Sequence, residues 1–103
     1  MNSIIQEEKA CIFTGYTKKL EEHHIYYGTG KRKLSEKYGL KVWVRADLHK
    51  FTKCSIHQNP NKGLDLTLKK LGQRVFESRY PELDFNKIFG RNYIWKKMIL
   101  INI

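Results

Sequence analysis

The strongest constraint on the fold is an apolar stripe in the C-terminal half of the chain. Leu64, Leu68, Leu71 and Val75 follow one another at spacings of four, three and four residues. This is the spacing of one face of an α-helix. We therefore predict a long amphipathic helix from Leu64 onwards, which buries this stripe in the core and leaves its charged residues on the other faces.

Shorter elements are predicted on both sides of the long helix. Runs of β-favouring residues indicate strands, and short runs that end in glycine indicate short helices. A chain of 103 residues has room for one domain, and this order of elements predicts an α+β fold. The predicted strands cover residues 11–14, 20–28 and 40–45, and the predicted short helices cover residues 31–38 and 81–89.

Two further expectations complete the predicted domain, which spans residues 1–103 with its core at about 11–94. Residues 95–103, WKKMILINI, form either a final strand or a tail that packs on a partner. The aromatic residues Trp43, Phe51 and Phe76 are predicted to fill the core.

The charge of the chain points to its partners. Lys and Arg number 20 against 10 Asp and Glu, which gives a net charge of +10. These cations are spread along the sequence, so the folded surface is expected to be basic and to attract a polyanion. Nucleic acid, above all DNA, is favoured over an acidic protein surface.

Other features of the sequence exclude some classes of protein. The N-terminal residues MNSIIQEEKA carry charges where a signal peptide needs an apolar run, and no stretch has the length of a membrane span. Two cysteines, Cys11 and Cys54, are too few for a disulfide scaffold. We therefore expect a cytoplasmic protein with no membrane partner.

Four histidines are the candidates for chemistry: His23, His24, His49 and His57. A neutral imidazole can act as a general base or as a metal ligand at pH 7. Taken singly, a histidine is more often a solvated or a core residue. The neighbouring Glu21 and Glu22 either orient an imidazole or form a solvated strand face.

The segments LEEHHI, GTGKRKLSEKYGLKVWV, DLH, SIH and LDLTLKKLGQRVFE together resemble the small phage-encoded members of the HNH endonuclease superfamily. The resemblance covers about residues 11–94. It implies a ββα-metal core, made of a β-hairpin and a long helix around one metal ion, with an additional C-terminal helix. The implied activity is metal-dependent cleavage or nicking of DNA. If phage-encoded, the protein would act in the cytoplasm of the host cell.

The resemblance also implies roles for the histidines. His24 would be the general base, and His23, His49 and His57 would hold one divalent ion, which could be Mg, Mn, Ni or Zn. Adjacent residues of a regular strand point to opposite faces. His23 and His24 can therefore serve one site only if the metal lies at the end of the strand or at a bulge.

The chain departs from the family at the structural zinc site that many HNH proteins carry. Its four ligand positions read Cys11, Thr14, Arg45 and Leu48 here. Three of the four cannot bind zinc, so we expect no structural zinc. The asparagine that gives the superfamily its middle letter is not visible between the strands either.

Two groups of cations are candidates for binding nucleic acid, either by gripping phosphates or simply as solvated faces. One group follows the glycines of GTG, and the other lies on the polar face of the long helix. The first comprises Lys31, Arg32 and Lys33, and the second comprises Lys69, Lys70 and Arg74.

Three functions remain open from the sequence. The first is a metal-dependent endonuclease or nickase. The second is a DNA-binding module that keeps the HNH fold without efficient cleavage. The third is a phage protein that uses this fold to block a host nucleic-acid-handling complex.

The charge leads to a first testable prediction. Affinity for duplex DNA should fall by about 10²–10⁴ between low and physiological salt, because each neutralised phosphate releases counterions. Reversing the charges of Lys31, Arg32 and Lys33 should weaken binding, with a change in stability below about 0.5 kcal/mol for each exposed position. Fluorescence anisotropy across a salt series checks this. An affinity that does not change with salt would contradict it.

Overall fold

The computed structural model describes residues 1–94. The strand or tail predicted at residues 95–103 lies outside the described residues. The described part is a small α+β unit whose elements alternate along the chain. They are β1 (Leu20–His24), α1 (Lys31–Tyr38), β2 (Lys41–Arg45), a π-helical turn (Asp47–Phe51), α2 (Gly63–Arg79) and α3 (Phe85–Phe89).

The two strands form one antiparallel sheet. The register pairs Leu20 with Arg45 and His24 with Lys41, and the pairing is regular at every residue between them. The chain passes from β1 to β2 through α1. This helix ends at Gly39, whose φ of 72° is left-handed and whose N–H bonds back to the last turn.

The first predicted strand is wrong. Residues 11–14 form a turn in which the N–H of Gly15 donates to the carbonyl of Cys11. Its backbone contact with the sheet is the N–H of Ile12, which donates to the carbonyl of Trp43. The strand predicted at residues 20–28 also ends earlier, at His24. The sheet therefore pairs β1 with β2 instead of closing a tight hairpin at Gly15.

The long helix is confirmed, but its buried face is rotated by about one residue from the predicted stripe. Leu68 is buried as predicted, whereas Leu64, Leu71 and Val75 are only partly buried. The buried face includes three polar residues, which have hydrogen-bond partners inside the protein. The buried residues of α2 are Asp65, Leu68, Lys69, Gly72, Gln73 and Phe76.

Lys69 was predicted to lie on an exposed basic face, and this is wrong. Its side chain is 7% exposed, and its ammonium lies 2.9 Å from a carboxylate oxygen of Asp65 and donates to the Asn61 side chain. Burying a lysine requires such partners, and a pattern of apolar residues does not reveal them.

Of the other predictions for single elements, some are confirmed and some are wrong. The short helix at 31–38 and the strand at 40–45 are confirmed, the latter as Lys41–Arg45. The last helix begins at Phe85 rather than at Pro81, because Asp84 caps it by accepting from the N–H of Lys87. Phe51 is 74% exposed, so its assignment to the core is wrong.

Aromatic rings form the centre of the core. Tyr26, Phe76, Phe85 and Phe89 are each at most 1% exposed, and their ring centroids lie 4.5–5.7 Å apart in the contacting pairs. The phenol of Tyr26 donates to the carbonyl of Lys69, which satisfies the polar end of this buried ring. The cluster joins α2 and α3 to the segment after β1.

No helix among residues 1–94 combines the length and the apolar character that a membrane crossing needs.

Gly72 on α2 gives a stability prediction. A Cβ at this position would lie 2.8 Å from the Oη of Tyr26. Gly72→Ala should therefore destabilise the protein by about 1–3 kcal/mol through overpacking, although the same change in an exposed helix is stabilising by roughly 0.5–1 kcal/mol. Denaturant unfolding measures the difference.

The control for this prediction is Tyr26→Phe, which removes the oxygen that the new methyl group meets. In the Tyr26→Phe background, Gly72→Ala should cost less than it does in the wild type. Equal costs in the two backgrounds would show that the Tyr26 hydroxyl is not the obstacle.

Candidate metal centre

Three histidines from three different segments converge at one end of the sheet. His23 lies near the end of β1, His49 lies in the π-helical turn, and His57 lies in the loop before α2. Nε2 of His49 is 3.1 Å from Nδ1 of His23 and 3.0 Å from Nε2 of His57. His23 and His49 are buried, whereas His57 is exposed, so the group opens to solvent on the His57 side.

Backbone hydrogen bonds hold two of these segments side by side. The N–H of Ile56 donates to the carbonyl of Leu48, and the N–H of His57 donates to the carbonyl of His49. Ile56 is fully buried in the core. Its packing therefore anchors the loop that carries His57 beside the π-helical turn.

Glu21 fixes the orientation of His49. Its carboxylate oxygen lies 2.6 Å from Nδ1 of His49, and a carboxylate accepts, so Nδ1 carries the proton. The lone pair of His49 then lies on Nε2, which faces the other two histidines. A carboxylate behind a ligating imidazole is a common arrangement at metal sites, where it sets the tautomer and raises the basicity of the ligand.

The surroundings favour the uncharged form of two of these rings, those of His23 and His57. Burial, followed by the nearby His49, lowers the pKa of His23 to about 2. The same two causes, in the same order, lower the pKa of His57. Neutral imidazoles have the free lone pairs that a cation needs.

The donor geometry fits one metal ion. Two ring nitrogens lie within hydrogen-bond distance of the single lone pair on His49 Nε2, which cannot satisfy both well. A cation between the three nitrogens would satisfy all of them. A tetrahedral ion with M–N bonds of 2.0–2.1 Å separates its ligands by roughly 3.3 Å, close to the 3.0 Å and 3.1 Å seen here.

His24 belongs to a second group on the opposite face of β1. Its Nε2 lies 2.9 Å from an oxygen of Glu36 and 3.9 Å from one of Glu22. The ammonium of Lys41 lies 2.7 Å from the other oxygen of Glu36. Lys41, followed by His24, lowers the pKa of Glu36 to about 2, so this carboxyl is ionised.

This second group also has metal-ligating atoms, because the ligand atoms of Glu22, His24 and Glu36 lie within 4.8 Å of one another. Here, however, the ammonium of Lys41 already supplies positive charge to both carboxylates. The three-histidine group has no such internal cation and is the better metal site. It is called the metal centre below.

The structure thus brings together three of the four predicted histidines. His23, His49 and His57 meet, whereas His24 points away from them, because β1 is regular through His24 and has no bulge there. The role of His24 as general base stays a prediction.

The predicted cations fall in different places. Lys31, Arg32 and Lys33 form the first turn of α1, where Arg32 and Lys33 are exposed. On α2, Arg74 is exposed and Lys70 is half-buried, and Lys69 is the buried exception already described. At two of the positions compared with the structural zinc site, the N–H of Arg45 donates to the sulfur of Cys11. The sulfur of Cys11 thus accepts a hydrogen bond from the backbone of β2.

Sequence reasoning missed two residues of the second group, Glu36 and Lys41, and it left Glu21 open between two roles. The alternation of β1 was the available signal for Glu21, since residues two apart share a face of a strand and Glu21 precedes His23 by two. Nothing in the local sequence connects Glu36, on α1, with His24.

Comparisons of the chain with models of known protein families, with curated proteins and with solved structures found no match. The case for a function therefore depends on the residues themselves.

Adjacent glutamates give a matched test of the metal centre. Glu21→Gln should weaken metal binding by about 10–100-fold, because the carboxylate that orients His49 is lost. Glu22→Gln removes the same charge from the next residue of the strand, on the opposite face, and should leave the affinity unchanged. Calorimetric titration of the chelator-treated protein with Zn²⁺ measures both, with one ion per chain expected for the wild type.

Histidine variants extend the same comparison. His49→Ala should abolish binding at this stoichiometry, and His24→Ala should not. Equal losses in the Glu21 and Glu22 variants, or binding that survives His49→Ala, would place the ion elsewhere.

Proposed function

We propose that the protein is a metal-dependent phosphodiesterase that cuts or nicks DNA, with a site of the HNH type. The observation that carries the proposal is the convergence of three imidazoles on one point, in a chain with a net charge of +10. A cation site and a phosphate-attracting surface are the two requirements for hydrolysing a phosphodiester with metal assistance.

The donor set favours particular ions. Three imidazole nitrogens suit Zn²⁺, Ni²⁺ or a similar transition metal, whereas Mg²⁺ prefers oxygen ligands. Of the four ions expected from the sequence, Zn and Ni therefore fit best. An ion bound here would supply a Lewis acid that stabilises the negative charge developing on the phosphate.

His24 is our proposed general base. The carboxylate of Glu36 accepts a hydrogen bond from its Nε2, which leaves the lone pair on Nδ1. Nδ1 has no hydrogen-bond partner among residues 1–94, and unlike Nε2 of His23 it is not sealed from solvent. A base needs such a lone pair to take a proton from water.

Glu36 would then act as a positioning residue for this base. It holds the ring of His24 from one side, and Lys41 holds the second oxygen of Glu36. The interaction fixes both the tautomer and the direction of the imidazole, much as a carboxylate does in hydrolytic triads.

A second candidate function is a DNA-binding module without efficient cleavage, acting on DNA itself or against a host nucleic-acid-handling complex. The side chain of His24 is only 7% exposed. A base in this position reaches a substrate only if the surrounding side chains move, and this observation favours the second candidate.

Plasmid nicking tests the proposal. With Zn²⁺, Ni²⁺, Mn²⁺ or Mg²⁺ added in turn, the wild type should nick supercoiled DNA. His24→Ala should slow nicking by about 10²–10⁴ without rescue by excess metal, because a general base is lost. His49→Ala should be partly rescued by excess metal, because it weakens a ligand set. Neither variant should lose DNA affinity.

Glu36→Gln separates positioning from simple structural support. We expect kcat to fall by about 10² with KM nearly unchanged, since a misplaced base loses orientation, and the unfolding free energy to fall as well, because the buried ammonium of Lys41 loses its carboxylate partner. Glu22→Gln is the control, because Glu22 lies 3.9 Å from His24 rather than within hydrogen-bond distance. If the wild type nicks with none of the four metals, while the wild type and both histidine variants bind DNA, the nuclease proposal is wrong. The DNA-binding module is then the remaining candidate.

A further inference from the structure

A polar cavity lies next to the metal centre. Its volume is about 210 Å³, and the residues that give it its chemical character are Tyr27, Tyr93, Lys31 and Arg91. Lys31 begins α1, and Arg91 and Tyr93 follow α3. Two distant parts of the chain therefore contribute these residues to one small pocket, here called the cationic pocket.

The cationic pocket carries an excess of positive charge. Lys69 also lines it, but its ammonium is paired with the carboxylate of Asp65. Lys31 and Arg91 form no ion pair with any carboxylate of residues 1–94. Two unneutralised cations beside one small cavity are typical of an anion site.

The aromatic walls of the cationic pocket are held in place. The hydroxyl of Tyr27 donates to the carboxylate of Asp65 at 3.1 Å, and the ammonium of Lys69 lies 4.5 Å from the Tyr27 ring centroid. The guanidinium of Arg91 lies 5.0 Å from the ring centroid of Tyr93. Such cation–π contacts favour these positions of the two cations.

The cationic pocket and the metal centre share a wall. The ring of Tyr27 lines the pocket, and its centroid is 4.8 Å from that of His57 and 5.8 Å from that of His23. A group in the pocket would therefore be separated from the metal centre by about one aromatic ring.

We propose that the cationic pocket binds a backbone phosphate of a nucleic-acid strand, next to the phosphodiester that is held at the metal centre. This inference rests on the proposed function. Arg91 and Lys31 hold the phosphate, and Tyr27 and Tyr93 contact the adjoining sugar or base. Rings beside a cationic track are the usual means of holding a single strand without reading its sequence.

Binding in the absence of metal tests the cationic pocket separately from catalysis. The probes are a fluorescein-labelled 12-nucleotide single strand and the matching duplex, both measured in EDTA across a salt series. Arg91→Gln and Lys31→Gln should each reduce the salt slope of log K by about 1, uniformly across probe sequences. Arg79→Gln and Lys87→Gln remove the same charges from exposed positions outside the pocket and should leave the slope unchanged.

The outcomes separate the two proposals. Equal slopes for pocket and control variants, or no binding of either probe by the wild type, would overturn the cationic pocket. A wild type that binds through Arg91 and Lys31 but nicks with no metal supports the pocket and overturns the nuclease. A wild type that nicks, and whose Arg91→Gln and Lys31→Gln variants bind like the controls, supports the nuclease alone. Thermal unfolding of each variant confirms that it is folded.

Discussion

The regular pairing of β1 with β2 determines how the polar residues of the LEEHH segment are divided. In this register Glu21 and His23 point to one face, and Glu22 and His24 point to the other. The first pair meets His49, and the second meets Glu36 and Lys41. A slip of one residue would exchange the two faces and destroy both groups.

The metal centre depends on a part of the fold with little regular structure of its own. Between β2 and α2 the chain has one π-helical turn, and it is anchored to the core mainly through Leu48 and Ile56. The imidazoles of His49 and His57 come from this segment, and that of His23 comes from the sheet. An ion shared among them would tie the segment to the sheet, so metal affinity and local stability would be linked.

The limits of the sequence reasoning follow from the kind of interaction in each region. Local signals correctly placed α1, β2 and α2, because a glycine stop, a run of apolar β-formers and a helical period are properties of neighbouring residues. They failed for residues 11–14, whose β-favouring composition is outweighed by the turn that places the sulfur of Cys11 under the N–H of Arg45. They also failed for Lys69, whose burial depends on Asp65 and Asn61 together.

In the candidate site, too, local signals predicted some residues correctly and missed those whose contacts depend on packing. Histidine content and resemblance predicted that four imidazoles form one site, and three of them do converge. The sequence interpretation placed His23 and His24 in the same site only if the metal lay at the end of the strand or at a bulge, whereas the regular strand puts them on opposite faces. Strand alternation alone already favoured the arrangement that the structure has. The partners of His24 come from α1 and β2, and the cationic pocket needs Arg91, far along the chain. Such contacts depend on how the elements pack, which no local pattern in one sequence can reveal.

The two faces of β1 are joined by a single peptide unit, and this has a chemical consequence. In the metal centre, burial lowers the pKa of His23 and His57, whereas the group around His24 contains the ionised carboxylate of Glu36 and the ammonium of Lys41. The sheet keeps these two groups on opposite faces, so their charges lie apart although His23 and His24 are adjacent in the chain. Substitutions at Val42, which pairs with His23, should therefore disturb both groups through the backbone rather than through either imidazole, whereas a substitution at Lys41 would also remove the ammonium that holds Glu36.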